Sequence, residues 1–464
     1  MTDPIAALAQ VTASAWLVGG AVRDRLLGRA TADFDVVVPD DAEPPARALA
    51  RTAGGFAFAL SEEFGAWRVV AHDRSWQLDV LPLDDAGLEE DLSRRDLTVN
   101  AIAAPMSGDG YIDPFGGLED LAQRRLRMVR DDAFTRDPLR TLRLARLACE
   151  LGFSAEPATV AAARTAAPAL AGVAAERVFA ELARVIGGEG ALEGLELMDE
   201  VGATAAVLPE LWALRGVEQS RFHHLDVFGH TRAVLAEAIA LERDPSPACA
   251  TDADAEAVHG VLAAPLANDL TRGQAMRFGA LLHDIAKPQT RAVTPEGRVT
   301  FMGHDEAGAA QSAAILRRLR AAERLQTHVA ALTRHHLRLG FLVHAMPLGR
   351  RAVYDYLHAC GPVGVDVTVL SVADRLATRG DNSEVAIAKH LELARLIVPE
   401  ALAWVADPPR PPLRGDQLAR ALGIKPGPVV GGLLAELEAA SFSGEVATPE
   451  EAIERARQLI DGRG

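Results

Sequence analysis

The stretch Leu17-Val18-Gly19-Gly20-Ala21-Val22-Arg23-Asp24, followed closely by Asp33-Phe34-Asp35, leaves this chain few folds to choose from. Trp16 to Val18 reads as a short buried strand, and Ala21 to Leu27 has the apolar spacing of a helix. Two glycines between them let the backbone come close to a ligand, and a helix N-terminus at that place favours phosphate. Arg23 then adds a cation for a triphosphate. Along Asp33 to Val38 side chains alternate, so Asp33, Asp35 and Val37 share one face of a strand and Phe34, Val36 and Val38 the other. Two carboxylates so placed suit Mg²⁺, and a pair of ions roughly 3.5–4 Å apart can activate a hydroxyl and neutralise departing pyrophosphate. Either half alone is an ordinary glycine turn or polar strand edge. Together they point to nucleotidyl transfer.

Further groups extend this chemistry. Asp79, in the strand-like run Trp76-Gln77-Leu78-Asp79-Val80, is the nearest third carboxylate; an ion-pair partner or a strand-end cap is the other reading. Arg95 and Asp96 offer a cation for phosphate and an acceptor for sugar hydroxyls, unless they form only a surface ion pair. Pro138 is tolerated in a first helical turn, so Asp137 opens a helix on which Arg140, Arg143 and Arg146 recur every three residues. Leu139, Leu142, Leu144 and Leu147 pack inward on it, and the arginines either read a base edge with Asp137 or form a solvated face.

These motifs stand in the order of a known family. After GGAVRD and DFD come Arg94-Arg95-Asp96-Leu97-Thr98-Val99-Asn100-Ala101, Asp113-Pro114-Phe115-Gly116-Gly117-Leu118-Glu119-Asp120-Leu121, Arg136-Asp137-Pro138-Leu139-Arg140 and Glu176-Arg177-Val178-Phe179-Ala180-Glu181-Leu182. The chain resembles a bacterial class II tRNA nucleotidyltransferase of the CCA-adding and poly(A) polymerase superfamily. The resemblance implies an α+β head of the DNA polymerase beta-like type, then an all-α neck and body. It implies Asp33, Asp35 and Asp79 as catalytic, with Mg²⁺, and Gly19, Gly20, Arg23, Asp24, Arg95, Asp96, Asn100, Asp137, Arg140, Arg143 and Arg146 as nucleotide-binding. The tRNA acceptor stem and 3′ end, CTP and ATP are the implied partners. Two departures stand out. Arg136 occupies a usually acidic position, and the loop between Asp79 and Arg94, long in full CCA-adding relatives, is nearly gone. That deletion resembles members adding only CC. An Arg-rich segment typical of poly(A) polymerases is missing after the first motif.

A second constellation follows: Asp226 to Thr231 with His230, Leu281-Leu282-His283-Asp284-Ile285-Ala286-Lys287, Gly303-His304-Asp305-Glu306, His335-His336 and Val372-Ala373-Asp374-Arg375. The order is similar to that of HD phosphohydrolases. Imidazoles with carboxylates suit Mn, Fe, Ni or Zn, and a metal there would activate water against a phosphoester. The expected ligands are His230, His283, Asp284, His304, His335 and Asp374, with His336 able to replace His335.

The 464 residues exceed one domain, and Ala, Leu and Arg favour helices beyond residue 120. The expected division is a head at 1–125, neck 126–190, body 191–222, HD domain 223–395, and linker with helical tail 396–464. Pro245 to Pro265 reads as an insertion within the HD domain, and 192–214 as helix without a motif. Cys149, Cys249 and Cys360 are too scattered for a disulfide framework or a Cys-based zinc site. The N-terminus lacks the basic flank of a signal peptide, and no run suggests a membrane span, so a cytoplasmic enzyme is expected. A net charge of −16 argues against generic nucleic-acid binding, but Arg124, Arg125, Arg127, Arg130, Arg136, Arg140, Arg143 and Arg146 crowd the neck.

Overall fold

A six-stranded sheet of order β3-β4-β5-β2-β1-β6 organises the N-terminal part of the computed structural model. Its strands are β1 (Trp16–Val18), β2 (Asp33–Val38), β3 (Gly55–Ser61), β4 (Ala66–Ala71), β5 (Gln77–Pro82) and β6 (Ala103–Pro105). β2 and β5 are parallel, so the chain between them must cross over. It does so through the helix Glu43–Ala53, which packs on β3 and β4 through Ala46, Leu49 and Ala50. On the opposite face the helix Gly87–Ser93 lays Leu88 and Leu92 against Val18, Val37, Ala101 and Ala103. One face is thus closed by a helix. The other is covered only in part.

The structure describes residues 3–12, 14–61, 63–219, 224–380 and 382–461, and these fall into two units, Met1–Val207 and Leu208–Gly464. In the first, the sheet is followed by helices Arg140–Leu151, Pro157–Ala166, Ala175–Gly187 and Ala191–Glu200. Leu139, Leu142, Leu144 and Leu147 are buried, as the apolar spacing requires. The unit boundary falls inside the expected body, and the expected limit at 222/223 lies outside the described residues.

The second unit is helical apart from two small hairpins. Helices Val227–Arg243, Arg272–Leu282, His304–Arg318, Glu323–His335 and Gly364–Ala377 surround its centre, and Ser383–Ala406 packs on the last of them. The segment read as an insertion is part of this fabric. Thr251 caps the helix Asp252–Ala263, whose Val258 and Leu262 are buried and which packs on Arg272–Leu282. The tail forms three helices, Gly415–Leu422, Pro428–Ser443 and Pro449–Asp461, around Leu418, Leu433, Leu437 and Ala452. Tyr354 donates to Glu438 and Arg351 pairs with Glu436, tying the tail to the helix Arg350–Cys360.

One sequence expectation needs correction here. The stretch Arg350–Ala377 does pass for a membrane span by length and composition. It consists of two core helices joined at Gly361–Val363, and most of its apolar window is buried inside the fold. Its hydropathy serves the core. The three cysteines are buried and not in disulfides.

Candidate active site and metal centre

Asp33 and Asp35 leave one face of β2, beside the turn between β1 and the helix Gly20–Leu26. Gly19 sits at φ 74°, and a Cβ there would lie 2.6 Å from a nitrogen of Arg95 and 3.3 Å from Asp35 Oδ2. Only glycine lets these groups meet. Asp35 is largely buried, and burial raises its pKa; Arg95 pulls it down, while Asp33 and Asp79 push it up, leaving it above the usual carboxylate range. A carboxylate pair held at that cost suits a divalent cation. Gln77 on β5 donates to Asp33 Oδ1 at 3.0 Å, a partner the sequence did not single out although β5 sets it opposite Asp33.

A cleft of about 580 Å³ opens in front of them, lined among others by Gly19, Gly20, Arg23, Asp24, Arg95, Asp96, Asn100, Asp137, Arg140, Arg143 and Arg146. A chain of polar contacts builds its wall. Arg23 pairs with Asp24 at 2.9 Å and donates to Asn100 Oδ1 at 2.6 Å; Asn100 donates to Asp96 at 2.9 Å; Arg143 donates to the other Asp96 oxygen at 2.8 Å. Burial would raise the Asp96 pKa, but Arg143, Asn100 and the Leu97 N–H outweigh it and hold it at about 2. The strand-turn-helix corner is thereby wired to the helix Arg140–Leu151. Arg140 donates to the carbonyls of Arg94, Arg95 and Ala133, fixing the segment before Asp96. Asp137 accepts from Leu139 N and from Arg177, a residue of the Glu176–Leu182 motif with no role expected of it from the sequence.

Three expectations change in detail. Asp79 lies opposite Asp35 in register, yet both its oxygens accept from Arg68, at 2.7 and 2.8 Å. The ion-pair reading holds in this state. Next, the neck arginines are not an open basic stripe: Arg125 and Arg127 pair with Asp120, Arg136 with Asp132, and Arg146 with Glu150 and Glu181. Arg146 is itself buried, so its first task is to lock two helices. Lastly, the shortened segment after Asp79 is ordered, with Gly87–Ser93 helical and Arg94 paired to Asp84 and Glu90.

In the second unit, six side chains converge. His230 Nε2 lies 3.0 Å from Asp374 Oδ1, His283 Nε2 3.1 Å from Asp284 Oδ2, and His304 Nε2 3.3 Å from both Asp284 Oδ1 and His336 Nε2. Two triads suited to a metal share Asp284: His230, His283, Asp284 and Asp284, His304, His336. His335 is the correction. It points away, accepts from Arg338 at 2.8 Å and lines a different cavity beside Arg272 and Cys360. Consecutive helical residues face about 100° apart, so only one of the adjacent histidines can enter the cluster. Burial, then neighbouring His283, holds His336 neutral with a pKa of about 4, the state a metal ligand needs. Burial opposes charge on Asp284, but His283 and Lys287 keep it well below the usual range. His283, His304 and His336 each bond a backbone carbonyl through Nδ1, which turns Nε2 inward. Lys287, 2.6 Å from Asp284, went unassigned in the sequence despite lying one turn after it. A cavity of about 910 Å³ adjoins, with Lys287, Arg375, His344 and His390 on its walls.

Comparison with known proteins finds a matching domain around each centre. A poly A polymerase head domain matches residues 15–83 and 82–127, a probable RNA and SrmB-binding site of polymerase A matches 152–215, and an HD domain matches 227–379. The middle match takes in the Glu176–Leu182 motif and the helical stretch 192–214, in which the sequence offered no motif. An A-adding tRNA nucleotidyltransferase of Deinococcus radiodurans is 39% identical over 442 residues, 94% of this chain and 93% of that one. A CC-adding tRNA nucleotidyltransferase of Thermus thermophilus is 36% identical over 446 residues, 94% and 92% of the two chains. The fold is shared with the Bacillus stearothermophilus CCA-adding enzyme in complex with CTP, at 23% identity, full coverage of both chains and a TM-score of 0.63. With a head domain, an HD domain and near full-length relatives of one kind, this chain belongs to the tRNA nucleotidyltransferase family.

Proposed function

We propose that the chain adds nucleotides to the 3′ end of tRNA without a nucleic-acid template, and that its pocket accepts one kind of base. The reading rests on the carboxylate pair Asp33 and Asp35 at an arginine-lined cleft. Mg²⁺ held by them would lower the charge of the triphosphate and favour the attacking hydroxyl. The Gly19–Gly20 turn, Arg23 and Arg95 hold phosphate, Asp96 and Asn100 face the sugar, and Asp137 with Arg140 meet the base edge. Arg140 reaches backbone carbonyls with part of its guanidinium, so its base contact uses the remaining donors.

Single specificity follows from the segment 80–93. A pocket that must accept two bases in turn needs a movable part, whereas Leu88 and Leu92 are packed into the sheet and Arg94 and Arg95 tie the helix end to Asp84 and Asp91. CMP addition giving CC is the favoured outcome. The extent of identity with an A-adding relative supports a second reading, AMP addition to tRNA ending in CC. Purified protein incubated with tRNA ending before, within and after CC, with CTP or ATP alone, decides between them by product sequencing. Both additions at similar rates would overturn single specificity, and no addition would overturn the function.

In the second unit we infer hydrolysis of phosphoesters, with Mn, Fe, Ni or Zn held by His230, His283, Asp284, His304, His336 and Asp374. Such a metal would supply a nucleophile from water at neutral pH; Lys287 and Arg375 face the substrate phosphate. A tRNA substrate carries with it a cytoplasmic location. Assays with phosphomonoesters and 2′,3′-cyclic phosphates test the activity, and its absence from metal-loaded protein would leave the domain structural.

A further inference from the structure

The open face of the sheet continues well beyond the carboxylates. Strand registers set Val18, Asp35, Asp79, Arg68 and Phe58 in one row across β1, β2, β5, β4 and β3, and Asp33, Gln77, Val70 and Phe56 in the next. All of these side chains leave the face opposite the helix Glu43–Ala53, since register partners share a face. At the edge the row ends in exposed aromatics, of which Phe56 meets the His72 ring edge-on at 4.4 Å. Phe56 is 62% and Phe58 47% exposed, and Leu60 and Phe64, next along the chain, are exposed as well. β3 carries no charged residue or proline, although it is an edge strand, where soluble proteins place both to prevent pairing. An exposed patch of this kind marks a binding surface.

The direction of the chemistry says what binds there. In-line displacement puts the attacking oxygen and the departing pyrophosphate on opposite sides of the α-phosphorus. The phosphate-holding groups, the Gly19–Gly20 turn with Arg23 and Arg95, gather on the β1 side of Asp35. The hydroxyl must therefore arrive from the β5 side, and the strand carrying it must cross β4 and β3. Strands lie about 4.8 Å apart, so Phe58 is roughly 14 Å from Asp35, a span that a short unpaired strand covers.

We propose that Phe56 and Phe58 form a stacking platform for the unpaired nucleotides that precede the attacking 3′ hydroxyl. This rests on the tRNA reading above and adds a subsite for the acceptor strand. Aromatic faces accept any base, which suits a strand whose end changes as it grows. Arg68 lies between platform and carboxylates with its charge balanced by Asp79, so it offers a flat guanidinium for stacking more than an anchor for phosphate. Recognition across this strip is by bases, and salt affects it little.

The test uses the full chain, without nucleotide, and two RNA hairpins that mimic an acceptor stem, one blunt and one with a three-nucleotide 3′ overhang. Fluorescence anisotropy should show wild type preferring the overhang. Phe56→Ala with Phe58→Ala should weaken overhang binding roughly ten-fold or more, leaving blunt-hairpin affinity and the salt slope unchanged. Phe56→Tyr with Phe58→Tyr should restore binding and serves as the folding control. In extension assays the Ala pair should raise KM for RNA and spare KM for the nucleotide. Equal overhang binding by wild type and the Ala pair would overturn the proposal. So would a wild-type dimer, seen by light scattering, that the Ala pair dissociates, because the strip would then join two copies. Wild-type extension of tRNA tests the function separately, since the binding assay needs no catalysis.

Discussion

Asp33 and Asp35 stand at the mouth of a polar cleft, oxygen donors only, with Asp33 exposed and Asp35 partly buried. Asp284 sits among four imidazoles, and all five side chains are at least nine-tenths buried. Both centres gather negative charge for a cation, but with different materials. Open oxygen ligands suit a hard ion that exchanges with water and arrives with the triphosphate. Buried imidazoles around a carboxylate suit a softer ion that stays. The first donor set thus suits assembly with each substrate, whereas the second is part of the folded core.

The largest effects should come from removing one carboxylate at a time. Asp35→Asn or Asp33→Ala should lower nucleotide incorporation on the order of a thousand-fold or more, since transition-state charge loses its counterion. Hydrolysis by the second unit should be untouched. Asp284→Asn should do the reverse. Loss of both activities in either variant would show that the centres are coupled and would break the comparison.

Metal content sharpens it further. Plasma emission on protein dialysed without chelator should find transition metal retained in wild type and in Asp35→Asn, and depleted in His283→Ala and His336→Ala. His335→Ala should retain it, because that ring is turned towards Arg338. Depletion in His335→Ala with retention in His336→Ala would reverse the assignment drawn from the geometry. Magnesium for incorporation should be lost on dialysis and restored at once on re-addition.

A smaller effect is expected at the base. Arg177 donates to Asp137 without lying on the helix that follows it, so it acts as a positioning residue. Arg177→Met should relax the choice between CTP and ATP by about ten-fold while the KM of the preferred nucleotide changes less, and Asp137→Ala should relax it further. Arg177→Lys should recover part of the selection. A uniform fall for all nucleotides would make the pair structural.

How far the sequence foretold all this differs between the centres. The Gly19-Gly20 turn and Asp33 with Asp35 are legible because neighbours in sequence are neighbours on a strand, and their geometry follows from period two. Partners from other strands and helices are not: Gln77 for Asp33, Arg68 for Asp79 and Arg177 for Asp137 depend on register and packing. The arginines of the neck looked like a surface charge run because several of their acids, Asp96 for Arg143 and Glu181 for Arg146, come from distant parts of the chain. In the HD region the order of histidines was legible, but choosing between His335 and His336 required the direction in which their helix end faces the cluster. Likewise the apolar stretch 350–377 reads as a membrane candidate until the helices that cover it are known.

The smallest expected effect concerns the Asp96 network and the pH at which it fails. Asp96 has a folded pKa of about 2, below the ordinary carboxyl value of 3.8, because Arg143, Asn100 and the Leu97 N–H stabilise its charge more than burial penalises it. A depressed carboxylate pKa stabilises the fold above the unfolded value and loses that contribution as pH falls through the folded one. The contribution is roughly 2 kcal/mol at neutral pH, fades below about pH 4 and is gone below about pH 2. Asp96→Asn removes the charge, and with it one proton's worth of acid sensitivity, at the cost of leaving Arg143 with a neutral partner. Urea unfolding across this range should therefore find wild type more stable than the variant at pH 7 and the two converging by pH 2. The HD centre should show no such convergence on this substitution, since its carboxylate lies in the other unit. Parallel curves at all pH values would mean that Asp96 is not the buried anion at the junction of the strand-turn-helix corner and the helix Arg140–Leu151.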